Sequence, residues 1–197
     1  MIRPLGLVLA GGRSRRFGTE KAMALLDGAP IIARPIALLR RSCAEVGVNA
    51  PEDSGAATYA RSEGLAVLPD APGHPIGPLA GVAVGLRRVQ ELGLKQLVTL
   101  PCDTPDLPDD LIGRLLQTPA APAAFAETID GPQPLCAVWS LELLPSLEAM
   151  LGEGRHGRVQ DFLRDCRALA LQFEDESRFA NINSAADLSG FAAERRR

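Results

Sequence analysis

Short apolar runs recur along the chain, separated by stretches in which apolar residues fall at helical spacing. The run LGLVLA, residues 5–10, is unbroken and ends in glycine, the pattern of a strand buried on both faces. EVGVNA (45–50) and LAVLPD (65–70) are two more short strand candidates, with the helix-compatible GAATYARSEG between them. MALLDGAPII (23–32) predicts a short strand, a turn at Asp27 and Gly28, and a helix beginning near Pro30. Pro35 conflicts with that helix and requires either a kink or a start one turn later.

GPLAGVAVGLRRVQELG (77–93) has small and apolar residues at helical spacing and stops at Gly93. KQLVTLPCDTP follows as an apolar run ending in an acidic turn, then DDLIGRLLQ as an amphipathic helix. APAAFAET and PLCAVW read as strands. LELLPSLEAMLG, GRVQDFLRDC and the segment from Ala185 read as helices, with ALALQF a strand between the last two. Ser184 and Asp187 have capping-box spacing at the start of the final helix. There is no repeat or low-complexity linker, and TPAAPAA is too short to divide the chain, so residues 1–197 are expected to form a single domain. Strands alternating with helices predict an α/β fold with a mostly parallel sheet and helices on both faces. In such sheets ligands gather beyond the carboxyl ends of the strands, here Gly11 and Gly12, Asn49, Asp70 and Asp103.

Composition narrows the class. A chain of 197 residues can bury one sizeable core. A net charge of −3 argues against a general nucleic-acid binder, so anion binding must be local. The four cysteines, Cys43, Cys102, Cys136 and Cys166, are scattered without a C-x-x-C pair. Only His74 and His156 could join them, which argues against structural zinc. The N-terminal MIRPLGLVLAGG lacks the long apolar region of a signal peptide. No run approaches the roughly 18 apolar residues of a membrane span. The expected setting is cytoplasmic, with reduced thiols and no membrane contact.

The stretch LAGGRSRRFGTEK changes the picture most. Without side chains, Gly11 and Gly12 let backbone N–H groups approach an anion, and Arg13, Arg15, Arg16 and Lys21 add positive charge. The plain alternative is a solvated turn beside a charged face. The spelling excludes a Walker A loop, because five residues separate Gly12 from Gly18 and Thr19-Glu20 precede the lysine. The dinucleotide fingerprint G-x-G-x-x-G is also absent. Asp103, held between Pro101 and Pro105, is suited either to hold Mg²⁺ against phosphate oxygens or to make an Asx turn. Cys102 has no histidine near it in sequence and reads as a small buried hydrophobe. In LPDAPGHPIGPLAG, Gly77, Pro78 and Gly81 build a tight approach to a helix. Asp70 ends the strand before it, and its carboxylate can accept from the N1–H and N2–H₂ edge of guanine. Asn49 offers another polar contact, and His74 reads as surface.

Together these stretches resemble a known family. LAGGRSRRFGTEK is similar to the L-A-G-G-x-S-x-R-M-G-x-x-K signature of nucleotidyltransferases that act on molybdopterin. GPLAG and PCDTP resemble its next two motifs, and FANINSAADL resembles its N-x-N-T-P-x-D-L ending. The order and spacing hold over residues 5–188, and the match is to the molybdenum cofactor guanylyltransferases. The resemblance implies a Rossmann-like nucleotidyltransferase fold and transfer of GMP from GTP to the phosphate of molybdenum-molybdopterin, with release of pyrophosphate. It implies nucleotide contacts at Leu9, Ala10, Gly11, Gly12, Arg16, Lys21, Asn49, Asp70 and Asp103. Lys21 and Asp103 would be catalytic, with Asp103 holding Mg²⁺. Asn181 and Asn183 become candidates for the pterin side, with a structural turn before a helix as the open alternative. Candidate protein partners are the molybdenum-insertion protein and molybdoenzyme maturation chaperones.

The chain departs from the pattern at Phe17 for methionine, at Ser184-Ala185 for Thr-Pro, and at Gln133-Pro134 where His-Pro is common. Three rivals stay open. A cytidylyltransferase for the same cofactor more often carries L-A-A-G, which Gly11 disfavours. A sugar-phosphate nucleotidyltransferase typically shows L-A-A-G-x-G-T-R, which Ser14-Arg15-Arg16 disfavours. A non-catalytic nucleotide-binding delivery module would have no need of Lys21 and Asp103.

Overall fold

The computed structural model describes residues 3–11, 20–73, 77–118, 121–154 and 157–194. Its strands are β1 (Leu5–Leu9), β2 (Leu25–Leu26), β3 (Ala29–Pro30), β4 (Glu45–Asn49), β5 (Ala66–Val67), β6 (Gln96–Pro101), β7 (Ala123–Thr128), β8 (Gly131–Ser140) and β9 (Leu169–Gln172). The helices are α1 (Ala33–Ser42), α2 (Gly55–Ser62), α3 (Pro78–Glu91), α4 (Leu111–Leu116), α5 (Leu144–Gly152), α6 (Val159–Asp165) and α7 (Ala185–Glu194). Seven strands form one sheet in the order β5-β4-β1-β6-β8-β7-β9. Only β8 runs against its neighbours; the other pairings are parallel. This is the expected α/β architecture. Among the described residues, no helix is long and apolar enough to cross a membrane.

Alternation along the central strands divides the core. Val8, Val98 and Leu100 face α1, α2 and α4, whose Ile36, Leu39, Ala57, Leu111 and Leu115 cover that side. Leu5, Leu7, Leu9 and Leu97 face the other way, onto Val82 and Leu86 of α3, Leu147 of α5 and Phe162 of α6. Fully burying a leucine-sized side chain contributes about 1.5–3 kcal/mol, so these two apolar layers fix the sheet between its helices. Trp139 of β8 is buried, and its indole N–H donates to Thr99 Oγ1 at 2.9 Å, whose hydroxyl donates to the Leu135 carbonyl at 2.8 Å. The antiparallel extension is therefore tied to β6 with both polar side chains satisfied.

The segment after Gly28 differs from the expected helix start. Asp27 and Gly28 both have positive φ, 53° and 83°, and close a two-residue hairpin between β2 and β3. An Asp-Gly pair favours that turn, and it carries Pro30 into a strand position. Helix α1 starts at Ala33, the later of the two starts considered, and Pro35 falls in its first turn, where no intrahelical N–H bond is lost. The β2–β3 hairpin has its own small core. Leu26 and Ile31 pack with Ile182, and Leu188 and Phe191 of α7 close over them. The C-terminal segment is thereby fastened beside the sheet edge that carries the site.

Candidate active site

Register places the expected ligand-facing positions level with one another. Leu9 at the end of β1 lies opposite Asn49 of β4 on one side and Pro101 of β6 on the other. Gly11 therefore leaves the centre of this edge, Asn49 and Asp70 stand on the β4–β5 side, and Asp103 stands on the β6 side. Leu9 and Ala10 have buried side chains, so only their backbone can meet a ligand. The Ala10 amide donates to the Asn49 carbonyl at 2.8 Å and the Leu9 carbonyl accepts from the Cys102 amide at 3.2 Å. Gly12 and Arg16 lie outside the described residues, as do Arg13, Arg15 and His74.

On the β6 side, Lys21 Nζ donates to Asp103 Oδ2 at 2.6 Å and to Asn183 Oδ1 at 2.7 Å. The two charged side chains are 12% and 25% exposed, so water screens this pair only in part. Thr104 Oγ1 donates to Asn181 Oδ1 at 2.6 Å, and the Ile182 amide donates to the Asp103 carbonyl at 2.9 Å. The NIN segment thus lies against the Asp103 turn. Asn183 reaches Lys21, whereas Asn181 is held by Thr104. The predicted capping box is present: the Asp187 amide donates to Ser184 Oγ at 3.1 Å and the Ser184 amide donates to Asp187 Oδ2 at 2.9 Å. The same Asp187 oxygen also accepts from the Asn183 amide at 2.8 Å.

On the β4–β5 side, Asn49 is buried, and both of its amide hydrogens have internal acceptors. Nδ2 donates to the Leu68 carbonyl at 2.8 Å and to Asp70 Oδ1 at 2.8 Å. Asn49 therefore orients Asp70 and keeps no free donor for a nucleotide base. Asp70 stands three residues beyond β5, which is shorter than the apolar run suggests. Gly81 of α3 fits closely here, because a Cβ on it would overlap Asn49 Oδ1 and lie 2.8 Å from Leu9 Cδ2.

Cys102 is half-buried against the core, and its thiol pKa is pushed up to about 12, first by burial and then by the Asp103 charge. It remains a neutral thiol, consistent with a packing residue. Among the described residues no group of three or more His, Cys, Asp or Glu side chains is arranged to hold a metal ion. Asp103 offers a single part-exposed carboxylate, which suits a Mg²⁺ ion that takes its other ligands from water and substrate phosphates. Thr104 and Glu20 are the site neighbours that sequence reading passes over. Thr104 is already spelled in the PCDTP motif, and Glu20 directly precedes the lysine.

Residues 6–170 match the family described as the MobA-like NTP transferase domain. A molybdenum cofactor guanylyltransferase of Cereibacter sphaeroides is 38% identical over 95% of this chain and 95% of its own length. One from Acidiphilium cryptum is 36% identical over 96% of this chain and 94% of its own. The fold is shared with the molybdopterin-guanine dinucleotide biosynthesis protein A of Archaeoglobus fulgidus, with a TM-score of 0.75, 21% identity and 97% of each chain covered. It is shared too with a CMP:2-keto-3-deoxy-manno-octonic acid synthetase solved with CTP, with a TM-score of 0.73, 13% identity and 98% of each chain covered. With the family's domain spanning most of the sequence and such identity along nearly its whole length, the chain belongs to the MobA-like NTP transferases, alongside the molybdenum cofactor guanylyltransferases.

Proposed function

We propose that the protein transfers GMP from GTP to the terminal phosphate of molybdenum-molybdopterin. A phosphate oxygen of the pterin attacks the α-phosphorus; the new P–O bond forms as the α–β anhydride bond breaks, and pyrophosphate leaves. The observation that carries this reading is the Lys21–Asp103 pair. A cation and a carboxylate 82 positions apart in sequence meet at 2.6 Å just beyond the carboxyl end of β6.

Both reactants are anions, so positioning and charge compensation supply most of the rate. Lys21 meets the triphosphate with its ammonium, and the Gly11 backbone approaches the phosphates without side-chain obstruction. Gly12 and Arg16 are assigned to the same phosphates on the family resemblance. Asp70, oriented by Asn49, accepts from the guanine N1–H and N2–H₂ groups. Asn183, which accepts from Lys21, and Asn181 are assigned to the pterin side on the family resemblance. Asp103 would hold Mg²⁺ together with phosphate oxygens, and the ion, when bound, neutralises charge developing on them. The reading extends to a cytoplasmic setting, in keeping with four free cysteines, and to the molybdenum-insertion protein and maturation chaperones as candidate partners.

Thermal shifts with GTP, CTP and ATP, each with and without Mg²⁺, test the assignment. A ligand present at 100 times its Kd adds about 2.7 kcal/mol, which a melting curve resolves. GTP with Mg²⁺ is expected to stabilise most. A preference for CTP would replace the guanylyl assignment with a cytidylyl one.

A further inference from the structure

Glu20 lies next to Lys21 in sequence but turns away from the site. Its Oε2 accepts from the Gly55 amide at 2.5 Å and its Oε1 from the Ala56 amide at 2.8 Å. These are the first two N–H groups of α2. The helix has a cap of its own, since Ser54 Oγ accepts from the Ala57 amide at 3.1 Å. Glu20 thus completes an N-terminus that is already capped, and what it adds is a tether between α2 and the turn that carries Lys21. Residue 55 is built for this contact. A Cβ there would lie 2.8 Å from Glu20 Oε2 and 2.9 Å from Met23 Cγ, so only glycine lets the carboxylate lie flat on the helix end.

The Lys21–Met23 turn is otherwise short, with the Met23 amide donating to the Glu20 carbonyl at 3.0 Å and the Ala24 amide to the Lys21 carbonyl at 3.1 Å. The Ala22 and Ala24 carbonyls hold the far side of the turn by accepting from Ile32 and Ile31 at 3.2 and 2.9 Å, and the two charge-assisted bonds to a helix end fix its Glu20 side, just before the lysine. They also compensate the Glu20 charge within the protein. A carboxylate turned toward the site would repel a triphosphate and compete with Asp103 for Lys21.

We propose that Glu20 is a positioning residue, which clamps the Lys21 turn to the N-terminus of α2 so that the ammonium is held where nucleotide phosphates bind. The inference rests on the nucleotide reading above. The test is a double-mutant cycle in GTP affinity, measured with Mg²⁺ by calorimetry on the full chain. Glu20→Ala is expected to weaken GTP binding by about tenfold in the wild-type background. It is expected to cost nothing further in a Lys21→Ala background, because its effect runs through the lysine. Glu20→Gln, which keeps the shape and one acceptor, covers the case in which the alanine variant does not fold. Gly55→Ala opens the same clamp from the other side and is expected to weaken GTP in the same way. Ser54→Ala removes the helix's own cap and controls for stability alone, so its GTP affinity should match wild type. Unchanged affinity in the Glu20 variants, or an equal loss with and without Lys21, overturns the proposal. Failure of the wild-type protein to bind GTP would instead refute the nucleotide reading, and the wild-type titration tells the two apart.

Discussion

Lys21 Nζ stands 2.6 Å from Asp103 Oδ2, so the cation proposed for phosphate is held against the carboxylate proposed for the metal. Under the proposed reaction the pair parts on loading, the ammonium toward phosphate and the carboxylate toward the cation. Lys21→Ala should weaken GTP binding and slow transfer, with a stability change of about 1 kcal/mol or less. The same variant should bind Mn²⁺ more tightly than wild type when no nucleotide is present, which paramagnetic titration reads directly. Equal Mn²⁺ affinity would show that the ion pair does not compete with the cation.

Asp103→Asn keeps the shape of the turn and removes its charge. Transfer should fall by about a hundredfold or more, while the melting temperature stays near wild type. GTP affinity without Mg²⁺ should hold or improve, because one repulsive charge is gone. Full activity in a folded Asp103→Asn protein would sink the proposed mechanism.

Asn49 Nδ2 donates to Asp70 Oδ1, so the proposed base contact of Asp70 depends on it. Asp70→Ala should narrow the preference for GTP over CTP, and Asn49→Ala should narrow it as far, with no further loss in the double variant. Asn49→Ala also leaves the part-buried Leu68 carbonyl without its side-chain donor, costing about 1 kcal/mol in a denaturation curve. A base preference that survives both changes would remove this pair from guanine recognition.

The Asp187 carboxyl is held below the usual carboxylate range, first by the Asn183 amide and then by Ser184. A depressed folded-state value means that its contribution to stability is complete above the unfolded range and is lost as pH falls through the folded value. Asp187→Asn should therefore melt below wild type at neutral pH, and the gap should close below about pH 4. A gap independent of pH would assign the effect to helix propensity instead.

Burial and the neighbouring Asp103 both oppose ionisation of the Cys102 thiol and push its pKa up. Cys102→Ala should leave transfer at the wild-type level, and activity should show no rise with pH from thiolate formation between about pH 7 and 9. Loss of transfer in a stably folded Cys102→Ala protein would reopen a role for sulfur chemistry.

Much of this protein is determined by local sequence. Unbroken apolar runs ending in Gly11, Asn49 and Asp103 specify buried parallel strands and put polar residues at their carboxyl ends, because parallel strands covered on both faces leave only their ends to solvent. The capping box of Ser184 and Asp187 is equally local, since its partners lie three residues apart. Pro30 misleads because its fixed φ suits a helix start and an edge strand alike, and the Asp27-Gly28 turn decides between them. Tertiary structure alone decides which groups meet. Lys21 finds Asp103 and Asn183, Asn49 directs its amide to Leu68 and Asp70, and Glu20 reaches past its neighbouring lysine to the first amides of α2. Each contact joins residues far apart in the chain, and short-range patterns carry no information about which donor a side chain will satisfy once the backbone has brought several within reach.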